Sequence, residues 1–270
     1  VDPEALASAV AAAAAEAGGE LSVSPEALAA AVRAGVMGAA KAAKEGDPRE
    51  TWQTNAVVLY DLFVGFTLEW PALAVAWLPN VADEGCRLAI GTHTDGSVAH
   101  ELIVAELCCE VEERLDCSEP WRSWTGGGLG LGEAVGFGCS ADAGVGPLRT
   151  VARMEHPTEV NKLAACPHRP QLIATKAVTG EVLLFDYKAE RASGVSPDAT
   201  LRPDGAAADG FALAWSPLQK HLLASGGNDG RLCVWDVDVV SKASPSSPLR
   251  STMAHESGLC DLSFSHTEPS

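Results

Sequence analysis

Short apolar runs with a period of two fill the chain from Trp52 onward. In "RLAIGTHTDG", "HELIVAEL", "QLIATKAVTGEVLLFDY" and "HLLASGGNDGRLCVWDV" each run is bounded by Gly, Pro, Asp or Asn. That pattern predicts strands joined by tight turns. The stretch "LEWPALAVAWLPN", Leu68 to Asn80, places Leu73, Val75 and Trp77 on one face of an extended chain and Ala72, Ala74 and Ala76 on the other. Apolar residues on both faces, bulky on one and small on the other, predict a strand covered on both sides by neighbouring sheets. Trp70, Trp77, Trp215 and Trp235 read as core on the same ground.

The first 50 residues follow a different rule. Two alanine-rich segments begin with Asp2-Pro3-Glu4 and Ser24-Pro25-Glu26, each a capping side chain, a proline for the first helical position and an early acid. They predict two helices separated by Gly18-Gly19 and ended by Gly46-Asp47-Pro48, or a partly disordered low-complexity extension over residues 1–50. Residues 51–270 form the strand-rich part. Within it, the Gly-rich residues 117–146 predict a long surface loop, and the Ser/Pro-rich residues 241–251 a linker.

An internal repeat fixes the architecture. Glu159–Asp186 placed over Asp209–Asp236, a shift of 50, needs no gap. Leu163 falls on Leu213, Pro167 on Pro217, "QLIAT" on "HLLAS", Gly180 on Gly230 and "VLLFD" on "LCVWD". A third copy starts at "AHESGLCDLSFSH", with His255 nine residues before Phe264 as His156 is nine before Ala165. Units of four short strands closing on Trp-Asp at this period are the signature of WD repeats. The expected fold is all-β, a WD40 β-propeller with about two to three of seven blades present, behind an alanine-rich helical extension. So short an array predicts a truncated ring with open sheet edges and marginal stability.

Charge and cysteine narrow the function. Asp and Glu number 36 against 19 Lys and Arg, a net charge of -17. Such a field repels nucleic acid and attracts basic partners, or serves solubility alone. The eight cysteines contain no CxxC pair, so neither a zinc site nor a disulfide framework is expected; they read as reduced, intracellular thiols. No apolar run reaches the roughly 18 residues of a membrane span. "GGGLGLG" lacks the Lys-Ser/Thr of a phosphate cradle, "HPTEVN" and "AHESG" are not HExxH, and no GxSxG elbow occurs. His93 in "GTHTDG" reads as a turn or strand-end histidine, not a base. No catalytic constellation, metal or cofactor is expected.

The series "LYDL", "LEWP", "WLP" and "GTHT", followed by "EVN", "IATK" and "FDY", resembles the histone-binding WD-repeat family. That family includes the retinoblastoma-binding proteins and the small subunit of chromatin assembly factor one. The resemblance runs from Trp52 to the C-terminus. It implies a non-enzymatic scaffold in the nucleus, shared among nucleosome assembly, deacetylase, remodelling and Polycomb-type complexes. Implied partners are histones H3 and H4 and other members of those complexes, with no direct nucleic acid and no membrane. The alternatives are a generic WD-repeat adaptor, such as a ubiquitin-ligase substrate receptor, or a nonfunctional fragment.

By the same resemblance, Glu159 and Asn161 match a pair that contacts the H3 tail, where a carboxylate and an amide hold an arginine. Asp209 stands where the family has glutamate and Phe211 where it has tyrosine, which implies a weaker contact; solvated acids on strand-start loops are the plain alternative. A third tail-contacting acid corresponds to Cys260 and is lost. The groove for an H4 helix, which needs a later acidic loop, is expected to be incomplete. Structural roles in the repeat fall to His156, Ser225, Asp229, Trp235, Asp236 and His255. In the middle repeat Ala206 replaces the histidine, so Asp229 is left to cap its own Asn228-Asp229-Gly230 turn and a weaker blade is expected.

Overall fold

The computed structural model describes residues 48–60, 63–81, 85–107, 110–111, 122–124, 131–137, 139–140, 148–189, 197–205, 207–240 and 245–268. The two alanine-rich segments lie outside the described residues. The chain divides into two compact units, one of Val1–Phe63 with Glu113–Pro120, the other of Val64–Glu112 with Trp121–Ser270.

In the first unit a helix, α1 (Pro48–Leu59), covers the segment in which strand periodicity was expected to start at Trp52. The sequence explains the correction. Gly46-Asp47-Pro48 starts a helix instead of ending one: Asp47 is a capping residue, Pro48 suits the first turn, and Glu50 supplies the early acid. Ala56 is buried, and the Trp52 ring meets Phe63 edge-on at 5.1 Å.

In the second unit the chain folds into three four-stranded antiparallel sheets. The first has the order β2 (Ala72–Trp77), β3 (Arg87–Thr92), β4 (His100–Leu107), β9 (Leu148–His156). The second is β10 (Val160–Ala165), β11 (Leu172–Ala177), β12 (Val182–Asp186), β13 (Ala199–Leu201). The third is β14 (Ala212–Trp215), β15 (Leu222–Gly226), β16 (Arg231–Asp236), β17 (Arg250–Met253). The repeat holds at the level of register. Leu163 pairs with Thr175 and Ile173 with Phe185; fifty residues on, Leu213 pairs with Ser225 and Leu223 with Trp235.

Two layers of apolar side chains join these sheets. Ala74, Ala89, Leu102, Val104 and Met154 of the first sheet pack against Val160, Leu163, Ile173, Leu183 and Phe185 of the second. The opposite face of the second sheet, with Ala174, Val182, Leu184 and Leu201, packs against Leu213, Trp215, Leu223, Cys233 and Trp235 of the third. The middle sheet is therefore covered on both faces, which is why its strands lack a polar side.

The first sheet is not. Leu73, Val75 and Trp77 are 61%, 66% and 65% exposed, while the alanine face is the one buried. This corrects the expectation of a strand covered on both sides and of Trp77 as core. Alternation reveals two apolar faces; whether a neighbour covers each is set elsewhere in the chain. Part of that face is covered: β1 (Phe63–Leu68) sends Phe66 and Leu68 onto Leu88, Ile90, Ile103 and Leu148.

The Gly-rich region 117–146 is not simply a loop. Its described residues form β6 (Arg122–Trp124), β7 (Leu131–Phe137) and β8 (Cys139–Ser140). β7 pairs with β1 and β6, and β8 with β5 (Glu110–Val111). Alternating Leu131, Glu133 and Val135 supplies a period of two that the surrounding glycines obscure. The linker 241–251 is also partly ordered. Ser246 bridges to Leu201, donating its N–H to Thr200 O at 2.9 Å and accepting from Arg202 N at 2.9 Å, and Arg250 already belongs to β17.

Candidate binding site

The residues singled out for tail binding lie where β10 and β14 begin. Asn161, on β10, is buried and donates its amide to Asp209 Oδ1 at 2.5 Å and to Gly210 O at 3.2 Å. Asp209 Oδ1 also accepts Gly210 N at 2.7 Å, and its backbone oxygen accepts Asn228 N at 2.6 Å. The side chain is thus held by two donors on one oxygen, which among the described residues leaves Oδ2 to accept from a ligand. The role of Asn161 is to lock the second sheet to the loop that starts the third.

Glu159 is brought to His93, with Oε2 3.4 Å from the ring Nδ1. This is ion-pair range without hydrogen-bond geometry, and Nδ1 has no hydrogen-bond partner among the described residues. His93, at the end of β3, is a member of the site that sequence reasoning placed in a turn. Nothing local could have revealed it, because 66 positions separate it from Glu159. Phe211 is 45% exposed and offers an apolar surface beside Asp209. The third repeat brings Lys162 Nζ to Asp261 Oδ1 at 3.5 Å, so the cation nearest these acids on β10 is paired on the surface.

The repeat residues divide between two sheets. His156 is buried and its Nδ1 is 2.6 Å from Thr158 O, which can only accept, so Nδ1 carries the proton. Nε2 then accepts from Thr175 Oγ1 at 2.9 Å, and the ring lies 5.4 Å from Phe185. Burial is the main cause that pulls this imidazole down to about 4; the bond to Thr158 opposes it and His100 adds to it. It is neutral at physiological pH. In the third sheet Trp235 donates Nε1 to Ser225 Oγ at 3.0 Å. Asp229 caps its turn, accepting Arg231 N on Oδ1 at 3.0 Å, as expected. Asp236 accepts Asp238 N at 3.0 Å, the counterpart of Asp186 accepting Lys188 N. Ala206 lies outside the described residues. His255 departs from expectation: it is exposed and bonds within its own turn, at 3.4 Å from Ser257 N, because no serine or threonine of a further sheet is at hand among the described residues.

Lys176 of β11 was not singled out by sequence reasoning. It is 1% exposed and donates to Gly180 O at 2.5 Å. Burial pulls its ammonium down, against the attraction of Cys233, Asp229 and Asp209. Gly180, with φ +85°, packs so tightly on Ala207 and Ala208 that a Cβ would strike their backbone. Lys176 therefore ties the second sheet's turn to the chain leading into Asp209. Among the described residues no group of His, Cys, Asp and Glu has metal-binding geometry, and no helix is long and apolar enough to cross a membrane.

Four-stranded antiparallel sheets repeating at 50 residues and closing on "VWD" define a WD-repeat protein, and residues 209–236 match the family described as "WD domain, G-beta repeat". The N-terminal part, residues 47–109, is of the RBBP4/CAF1C type: it matches the family of the "Histone-binding protein RBBP4" and its counterpart in the CAF1 complex, CAF1C. That is a family of binding proteins, not of enzymes. Among solved structures, a chain of "Structure of ctPRC2 in complex with H3K27me3 and H3K27M" is similar at 14% identity with a TM-score of 0.43. The match covers 68% of this chain, which spans 31% of the length of the other.

Proposed function

We propose that the chain is a nuclear, non-enzymatic scaffold that binds histones H3 and H4 within chromatin-assembly, deacetylase, remodelling or Polycomb-type complexes, and that its three sheets are blades of a WD-repeat propeller. The observation that carries the reading is the pair of carboxylates at adjacent strand starts, Glu159 and Asp209, with Asp209 held in place by Asn161. A fixed carboxylate with an open oxygen takes a guanidinium at little entropic cost, and charge-assisted bonds of this kind are the strong ones. The acidic chain, at net -17, adds long-range attraction for cationic tails. Phe211 supplies an apolar flank for the aliphatic stem of an arginine or lysine.

The test is a titration of fluorescent H3 and H4 tail peptides against the folded chain. Binding should weaken with added salt, and Asp209→Asn or Glu159→Gln should each lower affinity about tenfold, the scale of one charge-assisted bond. Folded protein that ignores both peptides, or variants that bind as well as wild type, would refute the assignment.

A further inference from the structure

The exposed face of β2 has equivalents inside the molecule, and they say what covers it. Trp77 pairs with Leu88, Ala165 with Ile173 and Trp215 with Leu223, and the residue after each closes the hairpin through the same bond, Leu78 N to Arg87 O, Cys166 N to Leu172 O and Ser216 N to Leu222 O. Trp77 and Trp215 therefore occupy one structural position. Yet Trp215 is 8% exposed and Trp77 is 65% exposed. Trp215 is buried by the face of the second sheet that carries Ala164, Leu172, Ala174, Val182 and Leu184, and donates Nε1 to Ala164 O at 2.9 Å.

The third sheet bears the same face. Fifty residues on from that set stand Ala214, Leu222, Ala224, Leu232 and Val234. Among the described residues no fourth sheet lies on it; instead there is an open groove of about 700 Å³ lined by Leu222, Leu232, Val234, Leu249 and Phe264. The segment from Leu259 to Phe264 touches this face, Leu259 against Gly226, but forms no strand ladder.

From this pair of complementary ends we infer that the chain self-associates head to tail, with Leu73, Val75 and Trp77 of one copy seated on the outer face of the third sheet of a second copy. The contact repeats the one already made twice within each chain, and Trp77 Nε1 takes Ala214 O of the second copy as Trp215 takes Ala164 O. Strand β2 displaces the segment Leu259–Phe264, which has no ladder bonds to lose. Such a contact is heterologous, since the two surfaces differ, so it leaves a free head and a free tail in every open dimer.

Light scattering on the full chain over a range of concentrations tests this. The mass should rise from one chain toward twice that value and beyond. Trp77→Glu and Leu249→Glu change exposed side chains, so both variants should keep the wild-type circular dichroism and melting point, and each by itself should stay monomeric. Mixed, they should form a dimer and nothing larger, because one variant keeps its tail and the other its head. Leu262→Ser with Phe264→Ser, which loosens the competing segment, should strengthen association. A wild-type chain that stays monomeric, association blocked by Trp77→Glu but untouched by Leu249→Glu, or a mixture that remains monomeric would each overturn the inference.

Discussion

The second and third sheets share a register shifted by 50 residues and still hold their interiors together by different halves of one polar network. The second keeps the histidine and its hydroxyl, His156 to Thr175, and puts Phe185 where an indole would stand. The third keeps the indole, hydroxyl and turn acid, Trp235 to Ser225 with Asp229, and has Ala206 in place of the histidine. Each half satisfies its own buried donors, so neither sheet is penalised for the part it lacks. The repeat thus demands satisfied polar atoms, not a fixed set of four residues. The expectation that the middle repeat would be the weak one finds no unsatisfied group at Trp235 or Ser225 to support it.

The two halves differ most in their response to acid. His156 sits at about 4 in the folded chain against about 6.5 when unfolded, so the unfolded state binds the extra proton. Its contribution is whole above pH 6.5 and is lost as pH falls toward 4, about 3 kcal/mol at most. Amide exchange should speed up in β10–β12 before β14–β16 over that interval. His156→Gln should flatten the difference; equal loss in both sheets would show the histidine is not the cause. Next in size is Ser225→Ala, which leaves the Trp235 N–H buried without an acceptor and should cost about 1–3 kcal/mol in urea unfolding. Smallest is a transplant. Thr179 occupies the place of Asp229, and Thr179→Asn should cap the Gly180 turn and raise stability by about 0.5 kcal/mol. A loss instead would mean that the turns are not interchangeable.

Much of this was legible in the sequence, for a physical reason. Strand pairing, turn glycines and the hydrophobic layers obey short-range periodicity, and a gapless repeat transfers the same contacts from one copy to the next. Glu159, Asn161 and Asp209 were found through resemblance, and the bond between Asn161 and Asp209 joins corresponding strand starts in neighbouring repeats. What escaped were relations with no local signature. His93 reaches Glu159 from another sheet, Lys176 looks like a solvated strand residue in "IATKAV", and Trp77 carries the same pattern as Trp215 with the opposite environment. The helix α1 was missed because apolar residues from Val57 to Tyr60 suit either period, and the capping signal at Asp47-Pro48 outweighed them.

The bridge at Ser246 has an effect on what the outermost strand of the second sheet can do. Both backbone groups flanking Leu201, Thr200 O and Arg202 N, are already engaged by Ser246. A three-residue edge sealed in this way offers no template to a foreign strand, so polymerisation by edge recruitment is closed at β13. The seal is made by the same stretch that delivers β17, and peeling β17 from the third sheet would bare β13 in the second, coupling the fraying of two sheets through one serine.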